Sequence, residues 1–286
     1  MVSRKSLYDE YRRIFEEKGI DDFDLTCIFQ DMLGERFPLM DSGKAVPEEL
    51  EAKIRSLAES RAEGYPLQYL LGEWEFYGYP FKVREGVLIP RPDTETLIED
   101  VLRICRENGM KSPRIADLCS GSGCIAITLK KQLPDADVCA VELSDTALEC
   151  MRENVALNGT DIHIIKGDVM ISSAVEAVGE RDIIVSNPPY LTAKDMSELM
   201  TEVRYEPETA LFGGDDGLDF YRVMTPLWRD SLRDGGWLVY EFGLGQHDDV
   251  KRILEENSFE NISLSRDAAG IIRTASAQKI GGKKNG

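Results

Sequence analysis

A chain of 286 residues with 42% hydrophobic and 30% charged side chains is long enough for two domains and has the balance of a soluble globular protein. Its 52 acidic against 34 basic side chains give a formal net charge of −18, which argues against tight binding to a nucleic-acid backbone, where basic groups must neutralise phosphates. No apolar run approaches the ~20 residues that span a bilayer, and residues 1–6 lead into a charged amphipathic segment with no signal core, so a cytoplasmic, membrane-free protein is expected.

The first part reads as helical. Leu7, Tyr11, Ile14 and Phe15 recur at helical spacing over 3–18, which ends at Gly19; 24–33 ends at Gly34. A third helix opens at Pro47-Glu48-Glu49, places Leu50, Ile54 and Leu57 on one face, and closes at Gly64. These stripes predict a small helical bundle. From 74 to 83 aromatic and β-prone residues split by Gly78 and Pro80 predict a hairpin. The stretch 87–95 then carries Pro90-Arg91-Pro92, with Asp93 or Thr94 placed to cap the helix bearing Leu97, Ile98, Val101 and Leu102.

Beyond it strands and helices alternate. Strands are expected at 114–118, 138–142, 162–166, 182–186, 237–242, 261–265 and 271–277, and helices near 123–132, 145–157, 218–232 and 246–256. Such alternation predicts an α/β fold with a doubly wound, mostly parallel sheet covered on both faces. The last two strands, with no helix between them, should form an antiparallel hairpin at the sheet edge. Pro226 should kink its helix, and 281–286 should be a disordered tail. Six cysteines form no CxxC pair and there are only two histidines, so reduced thiols and no metal site are expected.

Two motifs carry chemistry. Asp117-Leu118-Cys119-Ser120-Gly121-Ser122-Gly123 joins the first strand of the alternating region to its helix, and Gly121–Ala126 satisfies G-x-G-x-x-A. Glu142 ends the next strand about 20 residues on, where a dinucleotide fold holds ribose hydroxyls. Asp117 at the loop entry repels a pyrophosphate and attracts an ammonium. Asp168, with Val169, follows the third strand and can accept from an adenine amine. Acids at these places suit S-adenosylmethionine, which has an ammonium, a ribose diol, an adenine and no phosphate.

Asn187-Pro188-Pro189-Tyr190 follows the apolar run 183–186. The proline pair must stop the strand, leaving the Asn carboxamide, proline carbonyls and a Tyr ring beyond its carboxyl end, where open α/β sheets bind ligands. A carboxamide oxygen beside a main-chain carbonyl gives two acceptors for one planar NH2.

These motifs, together with Pro66-Leu67-Gln68-Tyr69-Leu70-Leu71-Gly72-Glu73-Trp74, Leu88-Ile89-Pro90-Arg91-Pro92-Asp93-Thr94-Glu95, Val203-Arg204-Tyr205-Glu206-Pro207 and Gly213-Gly214-Asp215-Asp216-Gly217-Leu218, resemble the PrmC/HemK family of peptide-chain release factor glutamine methyltransferases over about 65–278. The resemblance implies a Rossmann-like class I methyltransferase with a seven-stranded sheet. It implies methyl transfer from S-adenosylmethionine, leaving S-adenosylhomocysteine, to N5 of the glutamine in the GGQ motif of class-1 release factors. It places the cofactor on Asp117, Cys119, Ser120, Gly121, Ser122, Gly123, Glu142, Asp168, Val169 and Asn187. The substrate amide falls to Asn187, Pro188, Pro189 and Tyr190, of which Asn187, Pro188 and Tyr190 serve the reaction.

The organisation expected is a helical domain over 1–72 that engages the release factor, a hairpin linker over 73–95, and a methyltransferase domain over 96–280, in a monomer with no direct nucleic-acid contact. Cys119 stands where many relatives carry a glycine, and a thiol fits there if φ is negative. Rival readings are a DNA adenine-N6 methyltransferase, whose target amine has the same donor geometry, an NAD-dependent oxidoreductase resting on G-x-G-x-x-A alone, and a non-catalytic nucleoside-binding adapter. Arg91 and Arg204 either shape a substrate cleft or make salt bridges, 213–217 is either a mobile loop or a helix-entry turn, and the tryptophans pack.

Overall fold

The computed structural model describes residues 2–34 and 43–281; of the expected tail, 282–286 lie outside the described residues. The chain divides into two compact units, Met1–Glu73 with Met200–Tyr205, and Trp74–Leu199 with Glu206–Gly286.

The first unit holds α1 (Arg4–Lys18), α2 (Asp22–Leu33), α3 (Glu48–Ala62) and the short α4 (Leu67–Leu71). Local chemistry sets their ends. Ser3 and Asp21 accept from main-chain N–H groups at the start of α1 and α2, and Gly19 and Gly34 close both helices in the left-handed conformation. Leu7, Tyr11 and Phe15 are buried with Leu25, Ile28, Phe29, Ile54 and Ala58, whereas Leu50 and Leu57 are only half-buried. Tyr11 donates to Glu59 at 2.9 Å and Arg61 bonds Asp24 at 2.6 Å. Arg61 also pairs with Glu202 at 2.8 Å, and Tyr65 meets the Tyr205 ring edge-on. Sequence reading gave no sign that 200–205 belongs with this bundle.

The second unit opens with the hairpin β1 (Glu73–Phe76) and β2 (Tyr79–Lys82), then a 3-10 turn (Pro92–Thr94) leading into α5 (Glu95–Glu107). There follow β3 (Arg114–Leu118), α6 (Cys124–Gln132), β4 (Asp137–Glu142), α7 (Asp145–Asn158), β5 (His163–Lys166), α8 (Ser172–Val178), β6 (Arg181–Ser186) and α9 (Ala193–Ser197). The series closes with α10 (Asp219–Arg229), β7 (Leu232–Glu241), α11 (His247–Glu256), β8 (Phe259–Arg266) and β9 (Ile272–Lys279).

Seven strands form one sheet in the order β5-β4-β3-β6-β7-β9-β8. The first five of that order run parallel; β9 is antiparallel to both β7 and β8. The expected terminal hairpin is therefore present, and it puts β8 at the edge. Period-two alternation explains the burial of both faces. Ala116, Leu118, Cys139, Val141, Ile184 and Tyr240 pack on one side with Tyr221, Met224 and Trp228 of α10. Ile115, Val138, Ala140, Ile183, Val185 and Val239 pack on the other with residues of α5 and α6. α10 runs through Pro226, and its end at Arg229 precedes the expected one because β7 starts at Leu232. No helix among the described residues is long and apolar enough to cross a membrane.

Candidate active site

The strand order turns outward on either side of β3, so the carboxyl ends of β3, β4 and β6 face one crevice. The loop leaving β3 is tied to the end of β4. Ser120 N–H donates to the Val141 carbonyl at 3.1 Å, and Gly121 N–H donates to Glu142 Oε2 at 2.8 Å. Gly121 and Gly123 both have positive φ, and a Cβ on Gly123 would lie 2.6 Å from Met151 of α7, so this glycine permits α6 and α7 to approach. Cys119 departs from its expectation. Its φ is +59°, in the left-handed region that disfavours a side chain.

The three acids behave differently. Asp117 does not face the crevice as expected: it is fully buried beneath the loop, and its Oδ2 accepts from Ala126 N–H at 3.2 Å in the first turn of α6. Its Oδ1 has no hydrogen-bond partner among the described residues. Burial pushes its carboxyl up to about 8, against the hydrogen bond from Ala126 that favours the ion. Glu142 is half-buried at the crevice and accepts from Leu143 and Ser144 N–H groups with Oε1, at 2.8 and 2.7 Å. Asp168 accepts from Met170 N–H at 2.9 Å, which shapes the turn after β5. The fully buried Trp228 does more than pack: its Nε1 donates to the Val169 carbonyl at 2.8 Å and fixes the same turn from below.

Beyond β6, Ser186 Oγ donates to the Leu118 carbonyl at 2.7 Å, locking two strand ends together. Asn187 Nδ2 donates to Thr94 Oγ1 at 3.2 Å. Thr94 thus makes no capping bond to α5; its hydroxyl serves the site. Neither Asn187 Oδ1 nor the Pro188 carbonyl oxygen accepts a hydrogen bond from a described residue. Burial, then the nearby Glu241 carboxyl, holds the half-buried Tyr190 phenol well above its ordinary range. The segment 213–217 is packed on the proline turn. Leu191 N–H donates to the Leu211 carbonyl at 2.8 Å, Gly213 N–H donates to the Leu191 carbonyl at 2.9 Å, and Gln246 Nε2 donates to the Tyr190 carbonyl at 3.0 Å.

These elements enclose a cavity of about 680 Å3. Cys119, Ser120, Gly121, Ser122, Glu142, Asp168, Val169, Asn187 and Pro189 line it; Asp117, Gly123, Pro188 and Tyr190 do not. Arg91 and Thr94 line it too. Arg91 bonds the buried Glu206, whose Oε2 accepts from Ile89 N–H at 3.1 Å, so a half-exposed ion pair fastens 89–91 to the wall segment starting at Pro207. Arg204 belongs to the other compact unit. Sequence reading missed Glu241, Gln246 and the role of Thr94. An acid inside the apolar run 237–242 was a legible signal for the first; nothing marked Gln246.

Comparison with known proteins points the same way. Residues 94–207 match the methyltransferase small domain, and 6–72 match the PrmC N-terminal domain. The release factor glutamine methyltransferase of Fusobacterium nucleatum is 35% identical over 98% of this chain and 85% of its own length. That of Geobacter sulfurreducens is 43% identical over 79% of this chain and 78% of its own. Among solved structures, the catalytic domain of hMettl16 in complex with MAT2A 3'UTR hairpin 1 has a TM-score of 0.60 at 15% identity, covering 91% of each chain. The T. thermophilus 16S rRNA N2 G1207 methyltransferase, in complex with AdoMet and guanosine, has a TM-score of 0.53 at 19% identity, over 72% of this chain and 49% of that one. At those identities the likeness is one of fold. By sequence the case is closer, and this chain belongs to the release factor glutamine methyltransferase family.

Proposed function

We propose that this protein transfers a methyl group from S-adenosylmethionine to N5 of the GGQ glutamine of a class-1 peptide chain release factor. The observation that carries the reading is the pair of unpartnered acceptors, Asn187 Oδ1 and the Pro188 carbonyl, on consecutive residues where the strand ends. A primary carboxamide has two N–H hydrogens on one nitrogen and answers both.

The residues present fit the cofactor. The orphaned, buried Asp117 Oδ1 lacks a cation or donor, and Glu142 and Asp168 add acceptors along one cavity wall. Glu142 would hold the ribose and Asp168 the adenine amine, with Cys119, Ser120, Gly121, Ser122 and Val169 as the wall; Asp117 would act on the ammonium side from beneath the loop. When bound, S-adenosylmethionine supplies an electrophilic methyl group.

The chain's own work is orientation. An amide nitrogen is a poor nucleophile because its lone pair is delocalised into the carbonyl. Asn187 Oδ1 and the Pro188 carbonyl, by accepting both hydrogens, fix that nitrogen and favour positive charge on it. Orientation of this kind contributes on the order of 7–11 kcal/mol at best, and the acceptor dipoles add to it. Pro189 stiffens the turn, and Tyr190 packs against the planar amide. The helical unit engages the release factor, and the net charge of −18 suits a basic protein partner in the cytoplasm.

The test is mass spectrometry of a bacterial release factor after incubation with the enzyme and methyl donor. One added methyl on the GGQ glutamine is expected. An unmodified factor, with label passing to DNA supplied alongside, would overturn the assignment.

A further inference from the structure

Asn154 is a fully buried carboxamide within α7, where asparagine suits neither the helix nor the burial unless its polar atoms are bonded. Its bonds reach main chain outside the helix. Oδ1 accepts from Lys82 N–H of β2 at 2.6 Å; Nδ2 donates to the Lys82 carbonyl at 3.1 Å and to the Ser122 carbonyl at 3.0 Å. A main-chain N–H only donates and a carbonyl only accepts, so these partners allow a single orientation of the carboxamide.

Its neighbours on the helix show what is particular to it. Residues 150, 154 and 158 recur at spacing four along one face of α7. They lie against β2, whose ribbon has only one other strand and so leaves an edge to be bonded by side chains. Cys150 Sγ donates to the Lys82 carbonyl at 3.1 Å, and Asn158 Nδ2 donates to the Pro80 carbonyl at 2.9 Å. Those two bonds serve the hairpin. Asn154 alone of the three carries on into the glycine loop.

What it holds there is the peptide unit between Ser122 and Gly123. At the opposite end of that planar unit, Gly123 N–H donates to the Ser120 carbonyl at 2.8 Å, so both ends are pinned. Gly123 has φ +80° and no side chain to resist rotation of the plane. Without Asn154 Nδ2 the buried Ser122 carbonyl loses its donor, a cost that turning the plane would relieve. Gly121 and Ser122 line the cavity, so a turned plane alters its wall.

We propose that Asn154 is a positioning residue for methyl-donor binding: it ties the Ser122–Gly123 peptide unit of the glycine loop to the main chain of β2. The role rests on the reading of this cavity as the donor site and asks nothing of the release factor.

Calorimetry with S-adenosylhomocysteine on the full-length protein tests it. Asn154→Ala should raise Kd by about tenfold. Asn158→Ala loosens the same hairpin without touching the loop; it should lose comparable stability and keep the wild-type Kd. In methylation of a release factor, Asn154→Ala should raise KM for the donor and keep kcat at saturating donor. A wild-type Kd in Asn154→Ala overturns the proposal, and so does an equal rise in Asn158→Ala, which would make the effect one of general loosening. Failure of the wild-type protein to bind the ligand strikes down the donor site and this role together. The expected split between the two variants, in a protein that leaves release factor unmodified, keeps the role and rejects the substrate.

A measurement on unmutated protein decides the matter even if Asn154→Ala does not fold. Hydrogen exchange at the Asn154 side-chain NH2, followed by nuclear magnetic resonance, should slow when S-adenosylhomocysteine fills the cavity, because an ordered loop keeps the Ser122 carbonyl in place. Exchange at Asn158 should not change. Equal rates at Asn154 with and without bound ligand overturn the proposal.

Discussion

Gln246 grips Tyr190 by its main chain: Nε2 donates to the Tyr190 carbonyl at 3.0 Å while Oε1 accepts from Gly243 N–H at 2.8 Å. One side chain thereby joins the proline turn to the end of β7. Gln246→Ala removes both bonds at once and should lower stability by about 1–2 kcal/mol, with kcat falling by roughly tenfold as the turn loosens. Urea unfolding beside single-turnover kinetics checks this. Full activity in a destabilised variant would make Gln246 a purely structural clasp.

The neighbouring glycines leave no room for a side chain. A Cβ on Gly217 would lie 2.2 Å from the Tyr190 carbonyl oxygen, and one on Gly213 2.6 Å from that of Pro189 and 2.8 Å from Tyr190 Cα. These are main-chain atoms that cannot swing aside. Gly213→Ala should therefore displace the turn, lowering stability by about 1–3 kcal/mol and nearly silencing transfer. Gly109→Ala is the control: it too has positive φ, but its Cβ would meet nothing within 4 Å. It should cost about 1 kcal/mol and keep its activity, as thermal melts and rate assays would record.

Asp117 makes stability depend on pH. Its carboxyl sits near 8 in the folded protein, raised by burial from an ordinary value of 3.8. Between those values the folded state holds a proton that the unfolded state has lost. Its contribution is therefore complete in acid and is lost as pH rises through about 8. Asp117→Asn has no proton to lose and should flatten this part of the profile. Denaturant midpoints between pH 5 and pH 9, run on both proteins, test it; parallel curves would mean that Asp117 is solvated.

Binding and transfer should separate between Glu142 and Asn187. Glu142→Ala removes the acceptor of three main-chain N–H groups as well as a cavity wall, and should weaken donor affinity. Asn187→Ala should leave that affinity nearly intact and abolish transfer. Calorimetry with S-adenosylhomocysteine and a labelled-methyl assay on both variants measure the split, and turnover by Asn187→Ala would remove Asn187 from its role.

Much of this architecture was legible because the sheet strands are short apolar runs bounded by turn residues. β3 matches its expected span, and most of the others shift by one or two residues. β7 was read as starting at Trp237, since a glycine pair argues against a strand. In the fold it starts at Leu232, and its register against β6 shifts between Arg181 and Ile183, the irregularity that accommodates Gly235 and Gly236. α8 escaped notice because seven residues carry too little periodicity. In the site, the positions of the glycine loop, Glu142 and the proline turn follow from local order along the chain. The burial of Asp117, the positive φ of Cys119 and the reach of Gln246 to Tyr190 do not. They depend on what packs above and beside each residue, which spacing along one chain does not encode.

Asp93, one residue before Thr94, is paired with Arg273 of β9, and Asp100 of α5 accepts from Thr274 of the same strand at 2.6 Å. Well over a hundred residues of translation separate the two ends of this brace, at about 5–20 residues per second. While a nascent chain is still emerging from the ribosome, its earlier strands have the sequence to pair, but the turn holding Thr94 lacks its support. The Thr94 turn thus matures only after a strand encoded far downstream of it has been made.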